Sequence, residues 1–213
     1  MEDRTERIFY LRSRRARSTS FVLALIGILA AVWGALEMSV PTATATGSVA
    51  MPVWVVLPIP AAAAIAAGIW SEMDMLEAGA SRQLWRFDLT ALVAGMLVAA
   101  VFLGLGLVVG GVGRAVPDAL RNLVFWTGVA LVSAALFGRR LAWALPLAAF
   151  FPYDWFGFSY HTNEPKAWAT PMLHLSVETA LISIGVFAAG AALATNPRAR
   201  RFNFGRHLVM FRR

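Results

Sequence analysis

Three ionisable residues inside or beside apolar runs are the first candidates for chemistry: Glu37, His174 and Glu178. His174 and Glu178 are spaced i, i+4, which places both on one face of a helix. An ionisable group within a bilayer is costly and usually faces the interior of a helix bundle. The pair, joined by Glu37 at similar depth, reads as a polar lining for substrate or as a proton site. The alternative, which the pattern favours, is a structural hydrogen-bonded pair that closes the outer end of the bundle.

Familiar catalytic patterns are absent from the sequence. There is no G-x-x-x-x-G-K-[ST] phosphate loop, and the single lysine, Lys166, follows Pro165. A route to ATP hydrolysis through that motif is therefore closed to this chain. H-E-x-x-H and G-x-S-x-G do not occur either. The three histidines (His161, His174, His207) are far apart, a poor arrangement for a membrane haem. With no cysteine, thiol catalysis, thiolate metal sites and disulfides are excluded. No cofactor is expected in the chain itself.

These residues are carried by an unusually apolar chain. Of 213 residues, 59% are hydrophobic and 15% charged, against roughly 45–50% apolar in soluble domains. The charges fall in clumps between long apolar runs, the pattern of a polytopic membrane protein. Six spans are expected, at about residues 21–38, 51–70, 89–109, 120–137, 141–151 (or on to 160) and 171–195. The fold class is all-α, with a six-span domain over 19–195 between a charged segment, 1–18, and a basic tail, 196–213. Residues 39–50 read as a polar loop.

Sixteen of the 19 basic residues fall in the N-terminal segment, the 71–88 loop, the 139–140 turn and the tail. The positive-inside rule then places both termini in the cytoplasm with six spans. Arginines 12, 14, 15 and 17 among Ile8, Phe9, Tyr10 and Leu11 suit an interfacial helix. The net charge of +7 belongs to these flanks, not to a nucleic-acid surface. The first apolar run is too long for a simple signal peptide and lacks a convincing cleavage site.

Two further features shape the spans. Pro52, Pro58 and Pro60 crowd the first half of span two, which should be bent or partly unwound. Seven aromatics between Phe150 and Tyr160 match an interfacial anchor.

The sizeable polar interruption among the spans is residues 71–88, SEMDMLEAGASRQLWRFD. Met73, Leu76, Ala80 and Leu84 recur at spacings of three and four, giving one apolar stripe. The stretch is expected to form a short helix along the cytoplasmic face, with Glu77, Arg82, Trp85 and Arg86 beside the stripe.

An arginine-rich start (LRSRRARSTSFVLALIGIL), six spans and the segment LEAGASRQLWRFDL together resemble type-2 ABC exporter permeases. RNLVFWTGVALVSAALFGRRLAWALPLAAF, then WATPMLH before the last span, is similar to small integral membrane proteins of actinobacterial ABC transporter operons. The resemblance covers nearly the whole chain as a pattern. It implies that the 71–88 segment is a coupling helix whose Glu77, Arg82, Trp85 and Arg86 face a separate ATPase subunit carrying ATP and Mg. It further implies a dimer, with a second copy or a related permease enclosing the pathway. The outer loops are shorter than in larger relatives, with no sizeable extracellular domain. Beside this reading stand a non-transporting anchor or assembly subunit, an intramembrane enzyme and a secondary transporter. Membrane lipids are partners in every case.

Overall fold

A computed structural model describes residues 16–68 and 84–195. Among these lie six α-helices: α1 (Ala16–Trp33), α2 (Pro58–Gly68), α3 (Leu84–Val109), α4 (Val116–Phe137), α5 (Ala144–Phe156) and α6 (Val177–Thr195). Three helical stretches are long and apolar enough to cross a membrane: Asp88–Val109, Gly113–Phe137 and Val177–Thr195. Ser18–Trp33 and Val53–Gly68 are shorter apolar stretches.

The core runs along α4. Leu123, Trp126, Ala130, Leu131 and Ala134 are buried there with Leu23, Ile26 and Ala30 of α1, Ala62 and Ile65 of α2, and Leu103 and Leu107 of α3. The outward faces are no less apolar. Phe21, Leu25, Ile28 and Val32 on α1, Leu97, Val101, Leu105 and Val108 on α3, and Leu181, Ile182 and Ile184 on α6 are exposed. A helix apolar all round is at home in lipid, not in water.

Contacts fix the helix directions. Gly27 of α1 meets Phe102 and Gly106 of α3, and Ala31 meets Gly110, so α1 and α3 run parallel. Gly68, at the end of α2, lies against Thr19 near the start of α1, so α2 returns. Asp118 of α4 bonds Leu175 just before α6, and Gly128 meets Val186 and Phe187, so α4 and α6 are also parallel. Phe125 and Trp126 of α4 stack with Tyr153, whereas Ser133 bonds Leu141 and Leu145, so α5 runs back along α4. The starts of α4 and α6 and the end of α5 therefore share one end of the bundle.

That end is capped. Two antiparallel strands, β1 (Glu37–Pro41) and β2 (Ser48–Pro52), pair Glu37 with Pro52 and Pro41 with Ser48. This hairpin replaces the plain loop expected over 39–50 and corrects the all-α reading. Val40, Val49 and Met51 pack against Phe158, Phe150 and Met172. Gly47 turns the hairpin at φ 72, a left-handed conformation that glycine adopts freely. The tip docks on the end of α5 and the residues just after it: the Ala43 amide donates to Trp155 O at 2.9 Å and the Ala45 amide to Tyr160 O at 2.9 Å.

Span two is unwound where its prolines crowd. Residues Val53–Val55 form a 3-10 turn, and α2 begins only at Pro58. At 11 residues the helix is about 16 Å long. The fifth helix is likewise short and contains Pro152. The aromatic group over 150–160 divides: Phe158 is buried and Phe150 and Tyr153 pack on the core, while Phe151, Trp155, Phe156 and Tyr160 face outward.

Candidate functional site

Most of the buried polar residues among those described lie at the capped end, where α4 meets the strap of residues 157–176. Two structural facts build the site. The first is that α4 starts with Pro117 in its first turn, a position where the missing amide costs nothing. Its first two turns present Asp118, Arg121 and Asn122, all buried. The second is that α6 starts late, at Val177. Ser176 and Thr179 cap it reciprocally: the Thr179 amide donates to Ser176 Oγ at 3.2 Å and the Ser176 amide to Thr179 Oγ1 at 2.9 Å. His174 thus lies outside the helix.

The geometry makes a clasp. Asp118 Oδ1 accepts the Leu175 amide at 2.5 Å, and Oδ2 lies 3.1 Å from His174 Nδ1. A carboxylate can only accept there, so Nδ1 carries the hydrogen. Arg121 donates through Nη1 to His174 O at 3.3 Å, and through Nη2 to Asn122 Oδ1 at 2.8 Å and Pro171 O at 3.4 Å. Asn122 Nδ2 donates to Pro171 O at 2.9 Å. Three side chains of one helix turn therefore satisfy the strap's amide at 175 and its carbonyls at 171 and 174. The His174 ring itself is 98% exposed, against 11% for the Asp118 side chain.

This arrangement differs from the trio anticipated in the sequence. His174 does not share a helix face with Glu178, because α6 has not yet begun at 174. Its partner is Asp118, in the first turn of α4. Glu178 is exposed in the first turn of α6, where its charge complements the helix dipole. Glu37 opens β1 on an exposed position opposite Pro52. The three are not brought into one hydrogen-bonded group. A D-x-x-R-N pattern at the start of a long apolar helix was the signal for the clasp.

Of the partner-facing residues, Glu77 and Arg82 lie outside the described residues. Trp85 and Arg86 fall in the first turn of α3, so the end of the 71–88 segment is continuous with the span. A separate helix over that whole segment is thereby corrected at its C-terminal end.

A second buried carboxylate stands apart. Asp154 is 5% exposed, and its Oδ1 has no hydrogen-bond partner. It precedes Trp155, whose carbonyl receives the hairpin tip. Among the described residues no group of three or more His, Cys, Asp or Glu side chains is placed to hold a metal ion.

Neither family models, nor curated proteins, nor solved structures show a match to this chain.

Proposed function

We propose that the chain is the six-span membrane subunit of an ABC exporter, moving a hydrophobic or amphipathic cargo with energy from a separate ATPase. One observation carries the reading furthest: α2 ends and α3 begins at the end of the bundle where α1 begins, opposite the cap. In this reading that end is cytoplasmic. The arginine-rich termini flank it, and Glu77, Arg82, Trp85 and Arg86 meet the ATPase. Both termini lie inside a bacterial cytoplasmic membrane, and the hairpin and strap face out.

The exposed apolar faces of α1, α3 and α6 support lipid contact. The interior along α4 is filled by side chains, among them fully buried Trp126, Leu123 and Leu131. The cargo path consequently runs between two copies of the chain. The filled interior equally suits a non-transporting assembly subunit, and the ATPase separates the two.

The test is a gentle pull-down of tagged protein from native membranes, with mass spectrometry of what accompanies it. A stoichiometric P-loop ATPase, lost when the charges at Glu77 and Arg82 are both reversed, is the expected result. Purification without an ATPase removes the exporter reading and leaves the assembly subunit.

A further inference from the structure

We propose that the outer face of α5 is covered by a locally thinned bilayer, the leaflet at the capped end being drawn down to the end of that helix. The inference rests on the chain spanning a membrane, not on an exporter role. α5 turns Trp143, just before its first residue, and Leu147, Phe151 and Trp155 outward. They recur every four residues and so share one face. This apolar stripe is about 18 Å long. On α3 the exposed apolar residues run from Leu89 to Val109, about 30 Å, which is the thickness of a hydrocarbon core.

Both ends of the short stripe are marked as boundaries. At one end exposed Arg140, in the 3-10 turn Arg139–Leu141, stands next to Trp143. At the other, Trp155, Tyr160 and Trp168 are exposed, and Trp168 stacks on Tyr153 with ring centroids 5.5 Å apart. The Lys166 amide donates to Gly157 O at 2.7 Å, which pins this exposed lysine to the end of α5. Tryptophan, tyrosine and cationic side chains are the groups that settle at headgroups. Past Phe156 the chain is non-helical through residue 168. Irregular backbone exposed to lipid does not occur within the hydrocarbon region. A lysine side chain can snorkel out of it; the backbone of the strap cannot.

The heights of the helices locate the thinning. Leu145 bonds Ser133 of α4, and Tyr153 meets Phe125 and Trp126, so α5 follows α4 closely and Trp155 lies level with Leu123. Gly104 of α3 lies against Val116 at the start of α4. Counting back along these antiparallel helices, Leu97 has the height of Trp155, and the start of α3 has the height of Trp143. Leu97 is near the middle of the α3 face. The lost thickness therefore falls at the capped end, and a tilt of the whole bundle does not remove it. A face shorter than the hydrocarbon core thins the bilayer against itself or recruits another chain. The aromatic and basic residues at both ends of the stripe suit lipid headgroups.

The chain has no cysteine, so single cysteines carry a spin label without background. Leu97→Cys, Leu147→Cys and Trp155→Cys are labelled in the full chain in dioleoylphosphatidylcholine nanodiscs. Depth is read from relaxation by oxygen against a water-soluble nickel chelate. The label at 155 is expected to lie about 10 Å shallower than that at 97, although the two share one height in the bundle. In dilauroylphosphatidylcholine the label at 97 is expected to become shallower and that at 155 to keep its depth. Tyr160→Cys reads the same boundary if Trp155→Cys does not fold. Equal depths at 97 and 155 overturn the proposal. A label at 147 shielded from both reagents also overturns it, because protein and not lipid then covers α5.

Discussion

Two pairs of parallel helices build this bundle, and they are held together differently. α1 and α3 approach closely at glycines: Gly27 lies against Phe102 and Gly106, and Gly110 against Ala30 and Ala31. α4 and α6 use the same device at mid-height, where Gly128 and Gly190 touch. Above it they add the Asp118–Arg121–Asn122 clasp. Close backbone approach gains dispersion contacts and weak polar contacts in lipid, where the hydrophobic effect does not drive helices together. Such contacts fix distance but are forgiving of sliding. Hydrogen bonds from a carboxylate and a guanidinium are directional and fix register. The clasp thus adds directional bonds to the close packing of α4 and α6.

The largest break comes from filling the glycine contacts. A Cβ on Gly128 would lie 2.6 Å from backbone atoms of Val186 and Phe187. The neighbour is backbone, so α6 must move as a body. Gly128→Val is expected to cost about 3 kcal/mol or more, read as loss of folded protein in thermal unfolding in detergent. On the first pair, Gly106→Val places its Cβ against Gly27 O and Ala30 Cβ. A similar loss is expected there, because the shape device is the same. A much smaller loss in either pair would show that shape does not hold it.

Next comes the clasp, which tests what chemistry adds. Asp118→Ala strands the Leu175 amide and leaves Arg121 without the neighbouring negative charge. A cost of about 2–3 kcal/mol is expected, together with faster exchange across 173–176. His174→Ala is expected to change stability little, since an ion pair with an exposed partner contributes little. The two variants should therefore differ although both remove one contact. Equal effects would mean that the exposed ring, not the buried carboxylate, secures the strap.

That contrast also explains what the sequence discloses. The apolar runs were legible because lipid-facing and core positions are both apolar, and three long helices lie where such runs occur. The unwinding before α2 followed from Pro52 and Pro58. The hairpin was hidden because five-residue strands beside apolar helices leave little alternation to read, and their pairing depends on Phe158 and Met172, over a hundred residues away. The clasp was hidden for a related reason. Periodicity links His174 to Glu178, but the Ser176–Thr179 cap starts the helix three residues after His174 and releases that residue to Asp118. Pairing across 56 residues is a property of packing, which a local pattern does not carry.

The smallest effect belongs to that cap, and it sharpens the point. If Ser176 sets where α6 begins, Ser176→Ala frees the Thr179 amide and allows the first turn to fray or the helix to start elsewhere. The expected cost is about 1 kcal/mol, with Glu178→Gln costing only about 0.5 kcal/mol by weakening the charge at the helix start. The informative readout is local. Fraying at Ser176 should loosen the Leu175 amide from Asp118, so exchange at 175 rises in Ser176→Ala but not in Glu178→Gln. A rise in both would make the helix dipole, not the cap, the element that hands His174 and Leu175 to α4.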